Sequence, residues 1–492
     1  MDKAGETVRR PPVTSRRSLL RGAALLPLAG SLSGCSFGAD LLGVRRTVRV
    51  AVSWSAAELA AFRGVLDGLD HLPGQRPKDY SVEVVPLGDD IPTAVTARGA
   101  GRVDVVMLPV PGLVAENLGA LERLPDGIWP GTDLSETYAP VWHSLLFHAD
   151  AATGVSVPYG LPFKLAHDSL VWYRACLFDQ LGLRPPTNWS EWLAVNDAIV
   201  ARGGGVAPLA LGGADGWMLT GVFQNILLAR SPCAYDLLSR QGPGRPRPWD
   251  LDEVRDAFRL LGQMWGAPGA LAGGVKGSLV QQFPDAVLEV FHYHRAAMVV
   301  VPDFAEPFAE RYRADPPGCV DDVGVFAFPR VGAGVPPLIA GGDVAVLTKP
   351  AGDDAKDLLR RLADERAPLP WITGNHGFIA ANRKAPQSFY TTVIEPFARQ
   401  LHDRTFRFDL ADQIGAVGGR EGLWRVLQDF LARVGDGQGS RAEEATDRAI
   451  EHLLALEDAS VESATDATRR NLARSQTATA IRSCARDVTH GD

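Results

Sequence analysis

The side chains of this chain that can do chemistry are suited to recognition: aromatic rings and carboxylates near the ends of apolar segments. Trp54 closes a strand-like stretch, with Ser55 beside it and Glu58 one helical turn further on. Trp217 follows the glycine-rich loop 212–216, and a ring carried on a loop next to a rigid scaffold is well placed to meet a ligand. Asp343, in a Gly-Gly-Asp turn ahead of an apolar strand, can accept two hydrogen bonds or cap its own backbone. Arg407 and Asp409 flank Phe408 in alternating text, so they share a side and can also pair with each other. Rings stack on C–H faces, and charged groups make the stronger, directional hydrogen bonds that hydroxyls need. Signatures of catalysis are missing: there is no H-E-x-x-H, phosphate-loop or zinc spacing. His292 and His294 form an H-x-H pair without a carboxylate or cysteine fixed beside them, so no metal site is expected. Gly34-Cys35-Ser36-Phe37-Gly38 matches a nucleophile elbow in letters only, lacking a strand before it and a helix after it.

These residues need a body to hold them. The chain has 492 residues, 46% of them hydrophobic and 22% charged, which fits a folded protein of more than one domain. Its net charge of -8 mixes two pieces. The first 34 residues carry six basic side chains against Asp2 and Glu6, a local +4, which leaves -12 on the remaining 458. Such a surface repels phosphate backbones and argues against a nucleic-acid partner. Within the basic leader an apolar run, 22–32, is broken by Pro27 and is too short to span a bilayer, which takes roughly 20 apolar residues. It reads as an export signal of residues 1–34. Leu32-Ser33-Gly34-Cys35 resembles a bacterial lipoprotein signal, with lipidation at Cys35, and Ser15-Arg16-Arg17-Ser18-Leu19-Leu20 resembles a twin-arginine signal. In an oxidising compartment Cys176, Cys233, Cys319 and Cys484 allow three full pairings, among which the sequence does not choose.

The first part of the body alternates strand and helix patterns. Residues 47–53 (TVRVAVS) and 81–87 (SVEVVPL) read as strands and 103–108 (VDVVML) as a third; helical spacing at 56–70 and 92–99 separates them. This β-α-β-α-β order builds a parallel sheet whose ligands sit beyond the carboxyl ends of the strands, at Ser53-Trp54-Ser55 and Pro109-Val110-Pro111. A second pattern starts at 169–173 (SLVWY) and continues with a helix stopped by Gly182, then a helix over 189–202 capped by Asn188 and Glu191. Trp189, Trp192, Trp265 and Trp424 fall on helices and read as packing. Residues 457–492 lack large apolar side chains and read as a mobile tail.

The segment VPYGLPFKLAHDSLVWYRACLFDQLGLRPPTNWSEWLA, residues 157–194, resembles the extracellular solute-binding proteins of carbohydrate ABC importers, the branch related to maltose-binding proteins. The Tyr-Gly-x-Pro turn, the apolar strand and the Trp-x-Glu cap carry the likeness, with Asn188 where threonine is usual. Gly216-Trp217, Ala296-Ala297-Met298, Gly341-Gly342-Asp343, and Arg407-Phe408-Asp409 with Asp412 extend it along residues 48–456. The resemblance implies an α/β, two-lobed periplasmic-binding-protein-like fold of the class II type with three hinge crossings, near Lys164, between Arg330 and Leu338, and near Trp371. Lobe 1 is then 47–163 plus 338–370, and lobe 2 is 164–337 plus 371–456. Trp54 and Trp217, one in each lobe, would sandwich a sugar. Lys164, with His167 nearby, would contact it from the first crossing, and Trp371 would offer a third ring at the last. The implied function is capture of a mono- or oligosaccharide by a monomeric, lipid-anchored receptor and its delivery to an ABC permease, without a cofactor and without catalysis. A secreted carbohydrate-active hydrolase and a sugar sensor without transport are the alternatives.

Overall fold

The computed structural model describes residues 46–462 apart from 55, 130–135, 240–246, 375 and 438. The leader, Cys35, Ser55, Cys484 and residues 463–492 lie outside the described residues. The strands, in chain order, are β1 (Thr47–Val52), β2 (Ser81–Pro86), β3 (Val105–Leu108), β4 (Leu121–Glu122), β5 (Phe147–Ala149), β6 (Ser156–Pro158), β7 (Gly160–His167) and β8 (Leu170–Arg174). They continue with β9 (Ala207–Ala210), β10 (Ala296–Val300), β11 (Val323–Ala327), β12 (Ile339–Thr348), β13 (Ile379–Ala380) and β14 (Arg407–Phe408).

Two sheets organise the chain. The first runs β13-β7-β12-β3-β1-β2, with β4 and β14 also paired to β12. Its β2-β1-β3 portion is parallel, as the alternating strand and helix text requires, and β12 returns antiparallel between β3 and β7. The second runs β11-β8-β10-β9. The strands at the centre of each are buried on both faces: Val50, Val105, Val106 and Val346 are fully enclosed in the first, Ala297, Met298 and Val299 in the second. That burial explains their continuous apolar text. Two apolar cores result: one surrounds the first sheet and takes in one face of the second, including Trp172 and Val299, and the other holds the opposite face, including Val171 and Met298, with the helices packed on it.

Local rules hold where they are strong. Gly182 ends the helix Ala175–Leu181 in the left-handed region, at φ 65°. The Asn188 side chain accepts from the Glu191 N–H at 3.1 Å, while the Glu191 carboxylate reaches back to the Thr187 N–H at 2.7 Å, one residue earlier than a standard capping box. Cys176 and Cys319 form a disulfide, one of the pairings open to the sequence.

The passages between the sheets differ from the sequence-based expectation. β7 stays in the first sheet through His167, so the chain changes lobe at Asp168–Ser169 and not at Lys164. It returns between Phe328 and Ile339, and β13 and β14 keep residues 379–408 in the first sheet. The third passage therefore lies after Phe408, well beyond Trp371. The three passages run side by side. The Asp168 N–H donates to the Ile339 carbonyl at 3.0 Å, and the Asp409 N–H to the Ala340 carbonyl at 2.9 Å. The body also reaches past 456: the helix Ala442–Glu462 buries Glu457, whose carboxylate accepts from Arg247 at 2.8 Å and from the Trp249 indole at 3.2 Å. A carboxylate satisfied in this way anchors a stretch that composition assigned to a tail.

Candidate functional site

A cavity of about 270 Å³ opens where the carboxyl ends of β1 and β3 face the second lobe. Its first-lobe wall comes from Ser53, Trp54, Glu58, Pro109, Val110 and Lys164, and its opposite wall from Trp217, Thr220, Phe283, Phe304 and Trp424. Asp168, Gly341, Asp409 and Asp412 form its floor at the hinge passages. Sheet ends and lobe junctions are the places where open α/β sheets leave room for a ligand.

Lys164 centres one charged group. Its Nζ lies 2.7 Å from Glu58 Oε1, with 3% and 23% of the two side chains exposed. It also sits 5.0 Å from the Phe304 ring centre and 5.1 Å from that of Trp371. Burial pulls the lysine pKa down, but Glu58, Asp343 and Asp303 outweigh it and hold the ammonium above its usual range. Asp343 is pushed up to about 7 by burial, although Lys164 and a hydrogen bond from Trp54 act the other way. Asp303 is pushed up to about 6, again chiefly by burial. Asp343 is the register partner of Lys164 and sits inside β12, at an irregularity in its pairing, not in a turn. Gly342 makes that approach feasible: a Cβ there would stand 2.1 Å from the Lys164 carbonyl oxygen.

A second group lies on the floor. Asp409 caps the helix Leu410–Gln413 through the Asp412 N–H at 3.0 Å and accepts a short hydrogen bond from the Gln224 amide. Burial raises its pKa, and burial together with neighbouring acids raises those of Asp168 and Asp412 further. The aromatic wall is a cluster: Trp217 lies 5.5 Å from Phe283 and 5.6 Å from Phe304 by ring centres. Trp424 presents an indole N–H with no partner among the described residues. Rings that offer C–H stacking, set among carboxylates with free lone pairs, suit a compact polar ligand with a hydrocarbon face.

The family model for bacterial extracellular solute-binding proteins matches residues 78–236. The chain is 26% identical over 371 residues, 71% of its length and 82% of the relative's, to the osmoprotective compounds-binding protein GgtB of Synechocystis sp.. It is 24% identical over 424 residues to the alpha-glucosides-binding periplasmic protein AglE of Rhizobium meliloti, covering 82% of this chain and 86% of that one. Over that segment and along these two relatives the chain is similar to bacterial extracellular solute-binding proteins. Its fold is the two-lobed periplasmic-binding-protein architecture. The solved bacterial solute receptor AcbH superposes on it with a TM-score of 0.64 at 16% identity, covering 84% of this chain and all of that one.

Several side chains singled out in the sequence meet at the cavity: Trp54, Glu58, Lys164, Trp217, Asp343 and Asp409 line it. Trp54 does so with one edge only, being 4% exposed and packed on Phe62 and Trp371 at 4.9 Å each. Trp371 is fully enclosed one layer behind Trp54, against Phe378, and does not face the cavity. Arg407 pairs neither with Asp409 nor with the cavity: its guanidinium holds Asp236 by two hydrogen bonds, 2.6 and 2.9 Å. His167 is buried at the hinge, bonded to Gln400 at 3.1 Å, and burial lowers its pKa to about 4.

Sequence reasoning missed Asp168 and assigned Trp424 to packing. A signal for Trp424 was present: like Trp217 it opens a helix, Leu423–Val434, directly after a glycine-rich stretch. The two helices meet closely, since a Cβ on Gly216 would stand 2.3 Å from the Trp424 Cβ. Asp168 offered no such signal. Its role depends on where the chain leaves the first sheet.

Proposed function

We propose that this protein captures a mono- or oligosaccharide outside the cell and delivers it to an ABC permease. The observation that carries the reading is the cavity itself: two cleft tryptophans, Trp217 and Trp424, face a wall of hydrogen-bonding carboxylates across a lobe junction. Saccharides combine C–H faces for ring stacking with hydroxyls that both donate and accept. The names of GgtB and AglE, as binders of osmoprotective compounds and alpha-glucosides, and the β-D-galactopyranose preference stated for AcbH point the same way. At about 270 Å³ the cavity lies just below the range of roughly 300–1,000 Å³ common for small-molecule sites, which favours one or two sugar rings over a long chain.

The protein is further proposed to act as a monomer, exported by the twin-arginine route and anchored through a lipid on Cys35. Lobe closure around the sugar would present the shape that the permease reads. Titration of purified protein with neutral mono- and disaccharides tests the binding reading. Saturable quenching of tryptophan fluorescence with the sugar recovered unaltered is expected; release of a cleaved product would overturn it. Membrane fractionation of Cys35→Ala tests the anchor, because persistence of that variant in the membrane fraction is incompatible with lipidation there.

A further inference from the structure

Apart from Asp89 at the mouth, which pairs with Arg420, the charges at and just behind the cavity wall fall into two groups, and only one contains a cation. Lys164 balances the first, made of Glu58, Asp343 and Asp303. The second is Asp168, Asp409 and Asp412, contributed by two of the hinge passages. Asp409 is occupied by Gln224 and by the N–H groups of Ala411 and Asp412. Asp168 and Asp412 are not occupied in this way. Asp168, 8% exposed, receives a bond from the Gly341 backbone on one side, while its Oδ2 has no partner among the described residues. The charged groups facing Asp168 are Asp409 and Asp303, and those facing Asp412 are Asp409, Asp168 and Asp343. All of them are acids.

The two free carboxylate oxygens converge. A Cβ built on Gly341 would stand 3.0 Å from Asp168 Oδ2 and 3.5 Å from Asp412 Oδ2, so the bare glycine leaves a gap in the cavity floor beside both oxygens. A buried acceptor left unpaired costs about 1–3 kcal/mol, and more if it is charged. A bound group that donates hydrogen bonds and carries positive charge removes that cost. A single metal ion is a poor candidate, because it needs ligand atoms packed closely around it. Among the described residues, the group of three or more such atoms within 4.8 Å of one another is Cys176, Cys319 and Asp322, of which the cysteines are disulfide-bonded. The three aspartates are spread more widely than that. An ammonium brings three N–H donors and a charge on a larger frame.

We propose that the saccharide bound here bears a protonated amine, as an amino sugar or aminocyclitol does, with its ammonium between Asp168 and Asp412 and its ring faces against Trp217 and Trp424. The inference rests on the reading of the cavity as a saccharide site. In the empty protein, burial and then repulsion from neighbouring acids raise the pKa values of Asp168 and Asp412; an ammonium between them acts the other way, so its binding is coupled to proton release. Affinity for the amine then rises with pH as long as the ligand remains charged. A neutral sugar lacks that dependence. Because Asp168 and Asp412 stand on hinge passages, neutralising them also favours the arrangement in which those passages come together.

The test is isothermal titration of the wild-type protein with glucose, galactose, maltose and trehalose, each beside its amino-deoxy counterpart. Titrations are run at pH 5, 6 and 7 and in two buffers of different ionisation enthalpy. At least tenfold tighter binding of one amino-deoxy sugar than of its parent, with proton release, is expected. Asp412→Asn should erase that preference, and Asp168→Asn serves as the second variant should the first lose its folding transition. Equal or tighter binding of the neutral sugars overturns the amine and leaves the saccharide reading standing. Binding of neither class overturns both. Stabilisation by calcium or magnesium chloride alone would show that the floor is a metal site and would also overturn the proposal.

Discussion

Replacing Lys164 by Met tests whether the first charged group is held together as described. The methionine keeps most of the apolar stem and removes the only cation among Glu58, Asp343 and Asp303. At 2.7 Å, with an effective dielectric near 20, the Coulomb attraction between Lys164 and Glu58 is roughly 6 kcal/mol before desolvation is subtracted. Breaking a buried pair by removing one partner costs about 3–5 kcal/mol. Glu58 is 23% exposed and can regain water, and Asp343, already raised to about 7, can take up a proton. The expected loss is therefore at the lower end, about 3 kcal/mol. Removing both members, in Lys164→Met with Glu58→Gln, should cost less than the sum of the single changes by about 2 kcal/mol, because neither leaves an uncompensated charge. Urea denaturation at pH 7, followed by far-UV circular dichroism, gives all three values. Single-mutant losses below about 1 kcal/mol that add without coupling would refute the view that Lys164 is the counter-ion of this group.

Trp217→Ala should weaken sugar affinity by a factor of about 2 to 13, from ring stacking worth about 0.5–1.5 kcal/mol, with the urea midpoint little changed because the ring is only half buried; calorimetric titration reads the affinity. Arg407→Ala should leave ligand affinity unaltered and cost under about 1 kcal/mol of stability, since the Arg407 and Asp236 side chains are 39% and 46% exposed. A binding defect in that variant would return Arg407 to the site. His167, with a pKa near 4 when folded and about 6.5 when unfolded, binds fewer protons in the native state, so its contribution to stability is lost as pH falls from about 6.5 to 4. His167→Gln should remove that component of the pH profile, measured by urea midpoints at intervals across this window.

How much of this was legible in the text depended on the range of the interaction that decides each feature. The strands β1, β2 and β3, the stop at Gly182 and the cap at Asn188 follow from residues a few positions apart, and they fall where the periodicity and the capping pattern put them. The hinge passages do not. The assignment of residues 371–408 to the second lobe fails because β13 and β14 are two residues long, too short to show any alternation. Their place is set by pairing with β7 and β12 across some 200 and 70 positions of chain respectively. The cavity residues divide in the same way. Trp54 and Trp217 are readable as rings at the ends of elements, whereas Trp371 has the same composition signal and lies one layer too deep. Arg407 and Asp409 share a side in alternating text, yet Asp236, 171 positions away, takes the guanidinium and leaves Asp409 to Gln224.

The placement of charge also indicates what can drive the lobes together. Across the cavity mouth Arg420 pairs with Asp89, but their side chains are 61% and 56% exposed, so water and salt screen the pair to about 0–1 kcal/mol. Closer to the hinge, the Gly112 N–H donates to the Asp412 carbonyl at 2.9 Å and the Gly377 N–H to the Glu306 carboxylate at 2.8 Å. Exchanging such bonds with water yields only about 0.5–1.5 kcal/mol each. Burial of unpaired carboxylates in the cavity floor opposes closure with a cost of the same order. An empty cleft therefore gains little by closing, and a ligand shifts the equilibrium by the difference in its contacts between the two states. A ligand that also satisfies Asp168 and Asp412 removes the opposing cost as well as adding contacts. The same two carboxylates thus serve as a selectivity filter and as the element that ties closure to occupancy.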